Sequence, residues 1–357
     1  MYQCFRVENV NHWTLGQMGI AYFTQVSAFR KETMRKPEYL SPSAVALYRQ
    51  DPRAYFLQYL ADVRPPRQQQ TQPMSVGSAF DAYTKSDLHY KIFGNNGANE
   101  QFGFQKLFET QVEAHNREWA LVAGKVCYDQ YVKTGALTDL LGEISKGIGE
   151  PRFEIDIRTT IAAKRDHAGV PILGKPDCIF RNHEGAVVIL DWKVNGYCGK
   201  GTTSPMKGYL KLRPGGSTHK ECFAVMHRGM TINKMYRLEE LKEDWAAQLG
   251  QYGWSTGEPV GSEFIAWIDQ LACGGSGTEI RVATHRSLIG AEFQFKTLNE
   301  YITLWDAIQT GYIFKDMSRE DNDSLCNILS KGIVYTDVEN GSKEDFFNKM
   351  VHPPRAW

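Results

Sequence analysis

The sequence predicts an α/β fold with a mixed central sheet, on three observations. Residues 1–150 are mainly helical in pattern, the period changes to that of strands at Pro151, and helical patterning resumes from residue 291. The expected organisation is a helical part (1–150), a core (151–290) and a helical extension (291–357), joined in one compact unit.

The first helix is announced by Leu40-Ser41-Pro42-Ser43, where Ser41 can cap free amides and Pro42 is preset for the first helical position. Asp51-Pro52 repeats the device one short helix later. Val45, Leu47, Tyr48 and then Tyr55, Phe56, Tyr59, Leu60 supply core-like spacing. Arg64 to Pro73, rich in glutamine, reads as an exposed loop. A third helix is expected from near Val76 through Asp81 to about Tyr90, and further helical sequence from Gln101 to Leu141.

After Pro151, Phe153, Ile155, Ile157, Thr159 and Ile161 alternate with Glu154, Asp156 and Arg158, a period of two that predicts a strand. Two more strands are expected, Ile172 to Arg181 and Ala186 to Val194, linked by Asn182-His183-Glu184-Gly185. A three-residue loop closing on Gly185 makes a bulged hairpin in which Asn182 faces Ala186. Equal counting back along both strands sets Asp177 opposite Asp191, with Cβ atoms roughly 5 Å apart. Side-chain alternation puts Lys193, Val187 and Ile189 on the face of Asp191, and Leu190 and Trp192 on the other. Downstream, Leu238 to Trp254 predicts a helix with Trp245, Gln248, Leu249 and Tyr252 on one stripe. Strands are expected over Glu263 to Leu271 and Thr278 to Ala283, and helices over Gln294 to Thr310 and near Lys343 to Met350.

Composition narrows the class. The 357 residues are 42% hydrophobic and 23% charged, enough for a full core without disulfides or structural metal. Basic and acidic residues balance at 41 each, so contact with nucleic acid must come from local patches. The seven cysteines (Cys4, Cys127, Cys178, Cys198, Cys222, Cys273, Cys326) are scattered without a C-x-x-C pair, which suits reduced thiols. The opening residues lack a secretory pattern, and no stretch approaches the ~20 apolar residues of a membrane span. A soluble intracellular protein is expected.

The chemistry follows from the hairpin. Two carboxylates a few ångström apart repel unless a cation lies between them, so Asp177 and Asp191 either raise a pKa or bind a hard ion such as Mg²⁺. Lys193 beside them can orient or activate water and stabilise charge building on a phosphate. An Asp-x-Lys tripeptide alone arises about once by chance in a chain of this length, and a surface salt bridge is the bland reading. Strand context, a cross-strand aspartate and a glycine turn turn it into a candidate site.

From Gly174-Lys175-Pro176-Asp177 through Asp191-Trp192-Lys193 the chain resembles the PD-(D/E)xK nuclease superfamily, specifically its RecB-like and RecE-like exonuclease branch. Leu40-Ser41-Pro42-Ser43 and Asp51-Pro52 resemble that branch's opening helices. Gly77-Ser78-Ala79-Phe80-Asp81 resembles its G-x-x-x-H helix, and Gln248-Leu249-Gly250-Gln251-Tyr252 its Q-x-x-x-Y helix. The resemblance runs from about Ser41 to Trp267. It implies a restriction-endonuclease-like core (α-β-β-β-α-β, mixed central sheet) with helical elaborations at both ends. It further implies DNA phosphodiester hydrolysis with one or two Mg²⁺ or Mn²⁺ ions, held by Asp81, Asp177, Asp191 and Trp192, with Asp177, Asp191, Lys193, Gln248 and Tyr252 catalytic.

The branch's helix histidine is Asp81 here, which either ligates the metal, giving an all-oxygen site, or is a solvated carboxylate. Glu154 is a secondary candidate by family position, its alternative being a surface ion pair with Asp156 and Arg158 as neighbours. Between Lys193 and Arg237 lie Lys200, Lys207, Lys211, Arg213 and Lys220, a phosphate-contacting flap or an ordinary solvated loop. Gly169 to Lys175 spells G-x-x-x-x-G-K, but Pro176 replaces the metal-binding Ser/Thr and a strand is expected next, so ATP is not a partner. Gly274 to Gly277 reads as a turn.

The implied partner is linear duplex or single-stranded DNA, in recombination, repair or phage DNA metabolism within the cytoplasm of a bacterial or phage-infected cell. A homo-oligomer or a recombination partner protein is compatible with the resemblance. A structure-specific or flap endonuclease on the same core, and a catalytically silent DNA-binding or partner-binding module, are the alternatives.

Overall fold

A computed structural model describes residues 34–94, 101–161, 169–197, 224–234, 236–273 and 280–330. These fall into two compact units. One draws on Met1–Glu38, Leu47–Pro65 and Leu304–Trp357, the other on Tyr39–Ala46 and Pro66–Thr303. The candidate site lies within the larger unit.

Helix α1 (Pro42–Gln50) starts behind Ser41, whose Oγ accepts the Ala44 amide at 3.3 Å. The short α2 (Pro52–Tyr55) starts behind Asp51, whose Oδ1 accepts the amides of Arg53 at 2.9 Å and Ala54 at 3.0 Å. It continues as a π-helical turn over Phe56–Leu60. In the smaller unit Tyr48 donates to the Ile313 carbonyl at 2.9 Å, Phe56 packs on Phe314, and Asn322 of α10 (Arg319–Ser330) accepts the Phe314 amide.

In the larger unit, α3 (Gln72–Phe93), α4 (Phe104–Gln111), α5 (Arg117–Lys133) and α6 (Ala136–Ser145) precede the sheet. Helix α3 begins four residues before its expected start because Pro73 fits the first turn. It crosses α5 at Gly124, where a Cβ would lie 2.5 Å from Ala79 Cβ.

The central sheet runs β1-β4-β5-β8-β9, with β5 and β8 parallel and the other pairs antiparallel. Its strands are β1 (Arg152–Phe153), β4 (Cys178–Arg181), β5 (Val187–Asn195), β8 (Ile265–Cys273) and β9 (Ile280–Ser287). The parallel pair requires a crossover, and α7 (Leu238–Leu241) with α8 (Glu243–Ser255) provides it. The helix expected over 238–254 is therefore two, parted at Lys242, whose backbone is extended. Beyond β9, α9 (Ala291–Thr310) covers the stretch expected to be helical from Gln294.

Two expected strands are each broken in two. The alternating run from Phe153 to Ile161 becomes β1 and β2 (Ile157–Ile161), separated where Glu154 adopts φ 48°. The run from Ile172 to Arg181 becomes β3 (Val170–Gly174) and β4, because Pro176 has no amide to continue the ladder. Strands β2 and β3 form their own two-stranded sheet. A further hairpin, β6 (Ala224–His227) with β7 (Met230–Asn233), was not expected. It turns on Arg228 and Gly229, both at positive φ, as a two-residue hairpin turn needs.

The β4–β5 hairpin has the register derived from the turn. Asn182 donates its amide to the Ala186 carbonyl at 3.0 Å, Gly185 has φ 80°, and Cys178 pairs with Leu190. One step further sets Asp177 against Asp191. Alternation along β5 divides the core: Val188, Leu190 and Trp192 pack with the N-terminal helices, while Val187 and Ile189 pack with Ala246, Leu249 and Tyr252 of α8. Of the other expectations, the flap lysines, Gly274 to Gly277 and the helix near Lys343 to Met350 lie outside the described residues.

Candidate metal centre

The site lies midway along β5, where the strand's apolar face gives way to Asp191 and Lys193. Asp191 is 3% exposed. Its Oδ2 lies 2.5 Å from Lys193 Nζ, and its Oδ1 accepts the Gln248 amide at 3.3 Å. Gln248 joins the group by both ends, because its Oε1 accepts Lys193 Nζ at 2.9 Å and its Nε2 also donates to Tyr252 Oη at 2.8 Å. The i, i+4 spacing of Gln248 and Tyr252 on α8 produces this chain. A glutamine on the buried stripe has its polar atoms satisfied by the site itself.

Asp177 occupies the gap between β3 and β4. Its Oδ2 accepts the Trp192 backbone N–H at 2.9 Å, which ties it to β5, and its Oδ1 lies 3.1 Å from Lys85 Nζ. Lys85 follows Asp81 by one turn of α3 and its side chain is fully buried. Its ammonium also meets Glu154 Oε1 at 2.6 Å and Asp81 Oδ2 at 2.7 Å. Gln111 closes the group, donating to Asp81 Oδ2 at 2.9 Å and Glu154 Oε1 at 3.1 Å. The left-handed backbone at Glu154 carries this side chain out of the strand pattern and into the cluster. Its other oxygen lies 3.8 Å from Lys175 Nζ, a half-exposed surface cation.

Burial pushes the Asp81 carboxyl up to about 7 against the pull of Lys85, and the Asp191 carboxyl up to about 6 against the pull of Lys193. Burial alone would lower both lysines. Asp177, Asp81 and Glu154 outweigh it at Lys85, and Asp191 outweighs it at Lys193, so both are held above the usual lysine range. A water-deprotonating role for Lys193 would need the opposite direction.

The donor set fits a hard divalent ion. Carboxylate oxygens of Asp81, Glu154 and Asp177 lie within 4.8 Å of one another, and oxygen donors of this kind suit Mg²⁺ or Mn²⁺. Asp191, expected beside Asp177 as a ligand, is not one of these three: its oxygens meet Lys193 and Gln248, and the two groups join where Asp177 accepts the Trp192 N–H, with Tyr252 held behind Gln248. Lys200, Lys207, Lys211, Arg213 and Lys220 lie outside the described residues.

Sequence reasoning passed over three residues. Lys85 and Gln111 belong to the cluster itself. Asp269, fully buried on β8, accepts Tyr131 Oη at 2.5 Å, Trp267 Nε1 at 2.7 Å and Thr284 Oγ1 at 2.8 Å. Trp192 Nε1 in turn donates to Tyr131 Oη at 3.2 Å, so this network holds the ring that follows Asp191. The only signal for Lys85 was its i, i+4 spacing from Asp81.

No curated protein matches the chain in sequence. Among solved structures, one described as "Crystal structure of SSO0001" aligns at 10% identity over 67% of this chain and 79% of that one. Its TM-score of 0.24 is too low to bear on fold or function. No helix among the described residues is long and apolar enough to cross a membrane. Residues 39–204, a span that contains Asp81, Lys85, Glu154, Asp177, Asp191 and Lys193, match the family model of the PD-(D/E)XK nuclease superfamily, and the five-stranded mixed sheet with its flanking helices is consistent with a restriction-endonuclease-like core.

Proposed function

We propose that the chain is a metal-dependent deoxyribonuclease of the RecB-like and RecE-like branch, acting as an exonuclease on linear DNA. The observation that carries this reading is the convergence of Asp177, Asp191 and Lys193 midway along β5, with Gln248 joining the last two. Asp81, Asp177, Asp191 and the Trp192 backbone would hold Mg²⁺ or Mn²⁺, with Glu154 as a further carboxylate. A divalent ion bound there supplies a Lewis acid for the scissile phosphate and for the attacking water.

The residues have separable tasks. Asp177 fixes the centre to β5 through the Trp192 amide. Lys193, an ammonium between Asp191 and Gln248, orients water and stabilises charge developing on the phosphate. Gln248 limits where that ammonium can go, and Tyr252 limits Gln248. Lys200, Lys207, Lys211, Arg213 and Lys220 are proposed phosphate contacts, which would make binding salt-sensitive and indifferent to sequence. Recombination, repair or phage DNA metabolism in the cytoplasm is the setting such an activity fits.

The test is incubation of end-labelled linear duplex, single-stranded and closed circular DNA with Mg²⁺, Mn²⁺ or chelator. Degradation of linear DNA with either ion, intact circles and no degradation with chelator are expected. Cutting of circles would convert the assignment to an endonuclease. Absence of hydrolysis with every ion, alongside DNA binding, would leave a silent binding module.

A further inference from the structure

The centre has more fixed charge than its metal-binding role accounts for. Asp81, Glu154, Asp177 and Asp191 face Lys85 and Lys193, and Lys175 lies 3.8 Å from the outer oxygen of Glu154, so the carboxylates meet fixed cations before any metal arrives.

Lys85 is the unusual member. An ammonium has three N–H donors, and here each meets a different carboxylate at 2.6, 2.7 and 3.1 Å. These are the three residues whose oxygens cluster within 4.8 Å. The side chain has no exposure to solvent, and its Nζ lies 5.8 Å from the centre of the Trp192 ring. Withdrawal of the ammonium would break three charge-assisted hydrogen bonds and require it to cross packed protein. Its contacts also consume one oxygen of each carboxylate, Asp81 Oδ2, Glu154 Oε1 and Asp177 Oδ1. Gln111 Nε2 donates a second hydrogen bond to each of the first two. Of the second oxygens, Asp177 Oδ2 accepts the Trp192 N–H at 2.9 Å and Glu154 Oε2 lies 3.8 Å from Lys175 Nζ, so most of the cluster's capacity for cations is already committed.

We infer that Lys85 is a permanent internal cation of the acidic centre, occupying the place a further metal ion would take, so that the site accepts a single divalent ion. The inference rests on the metal-dependent reading above and narrows it to a one-metal centre. Lys85 is thereby a positioning residue: it holds Asp81, Glu154 and Asp177 together before any metal arrives. Asp81 on α3 gains a reason to be a carboxylate, because a neutral side chain would leave Lys85 short of an anionic partner.

The test counts Mn²⁺ bound to the full chain, by calorimetric titration and by electron paramagnetic resonance of the free ion. One Mn²⁺ per chain is expected for the wild type and for Lys85→Arg. Lys85→Met, which keeps the stem and removes the charge, should take up two. Its metal-free form should melt ~5 °C or more below the wild type and recover most of that loss on adding Mn²⁺. Two ions in the wild type, or one ion in Lys85→Met with the wild-type affinity and melting temperature, would overturn the inference. Should Lys85→Met fail to fold, the counts for the wild type and Lys85→Arg decide alone, and two ions in either overturn it. Two ions in a chain that degrades DNA would refute this inference and leave the nuclease reading intact. One ion in a chain that degrades nothing would do the reverse.

Discussion

Lys85 and Lys193 lie in the same acidic centre and meet carboxylates at similar distances, yet their surroundings separate them. Lys85 has no exposed side-chain surface and spends every donor on a carboxylate of Asp81, Glu154 or Asp177. Lys193 is 21% exposed, touches one carboxylate and one amide oxygen, and lies beside a buried Asp191. A saturated ammonium can organise ligands but has nothing left to offer a substrate. One with a donor and an open side can hold water or a phosphate oxygen. The comparison teaches that position among partners assigns the role, where residue type does not.

The largest effect is expected where the two halves join. Asp177 is the sole carboxylate in contact with both Lys85 and the β5 backbone among the described contacts, so Asp177→Asn should lower the DNA cleavage rate by ~10³-fold or more, the upper part of the range for a group acting in the transition state. Cleavage assays at saturating Mg²⁺ check it, and retention of a tenth of the rate would separate the halves. Gln248→Ala frees Lys193 while leaving every ligand in place. A loss of ~10–100-fold, typical for a partner that orients a functional group, should appear in the rate with little change in melting temperature.

Stability is expected to respond on the Lys85 side. A Cβ at Gly124 would meet Ala79 Cβ at 2.5 Å and the Phe80 backbone nitrogen at 2.9 Å, and backbone cannot yield as a flexible side chain can. Gly124→Ala should cost ~1–3 kcal/mol by overpacking, seen in chemical denaturation, and should move α3 with Asp81 and Lys85. An unchanged midpoint would mean that α3 is not wedged against α5. The smallest effect is expected at Tyr252→Phe, which removes one acceptor from Gln248 and nothing from Asp191. About 1 kcal/mol, or a rate loss under ~10-fold, is expected, and a larger loss would place the Tyr252 hydroxyl on the substrate.

Much of the Lys193 half was legible in the sequence, and little of the Lys85 half. The hairpin register followed from Gly185 and from counting, because a side-chain period of two leaves no freedom once the turn is known. Asp177, Asp191 and Lys193 are spaced by the regular geometry of a hairpin, so their meeting could be read forward, whereas Gln248 and Tyr252 were linked to them only through the family resemblance. Lys85 could not, since its partners come from α3, from the β1–β2 junction and from the β3–β4 gap. Only a fold in three dimensions brings these together. Pro176 did carry a signal for the break between β3 and β4, but the left-handed conformation of Glu154 leaves no mark in an alternating run. The β6–β7 hairpin escaped notice because Arg228-Gly229 is not one of the Asn-Gly or Asp-Gly pairs that announce such turns.

Single-turnover cleavage of linear DNA by the wild type and by Lys193→Ala, at matched Mg²⁺ occupancy, bears most directly on the proposed mechanism. A fall of ~10³-fold with metal binding and DNA binding preserved is predicted, because the charge that orients water and meets the phosphate is gone. An unchanged rate would contradict the account, since the ammonium beside Asp191 would then have no part in the reaction.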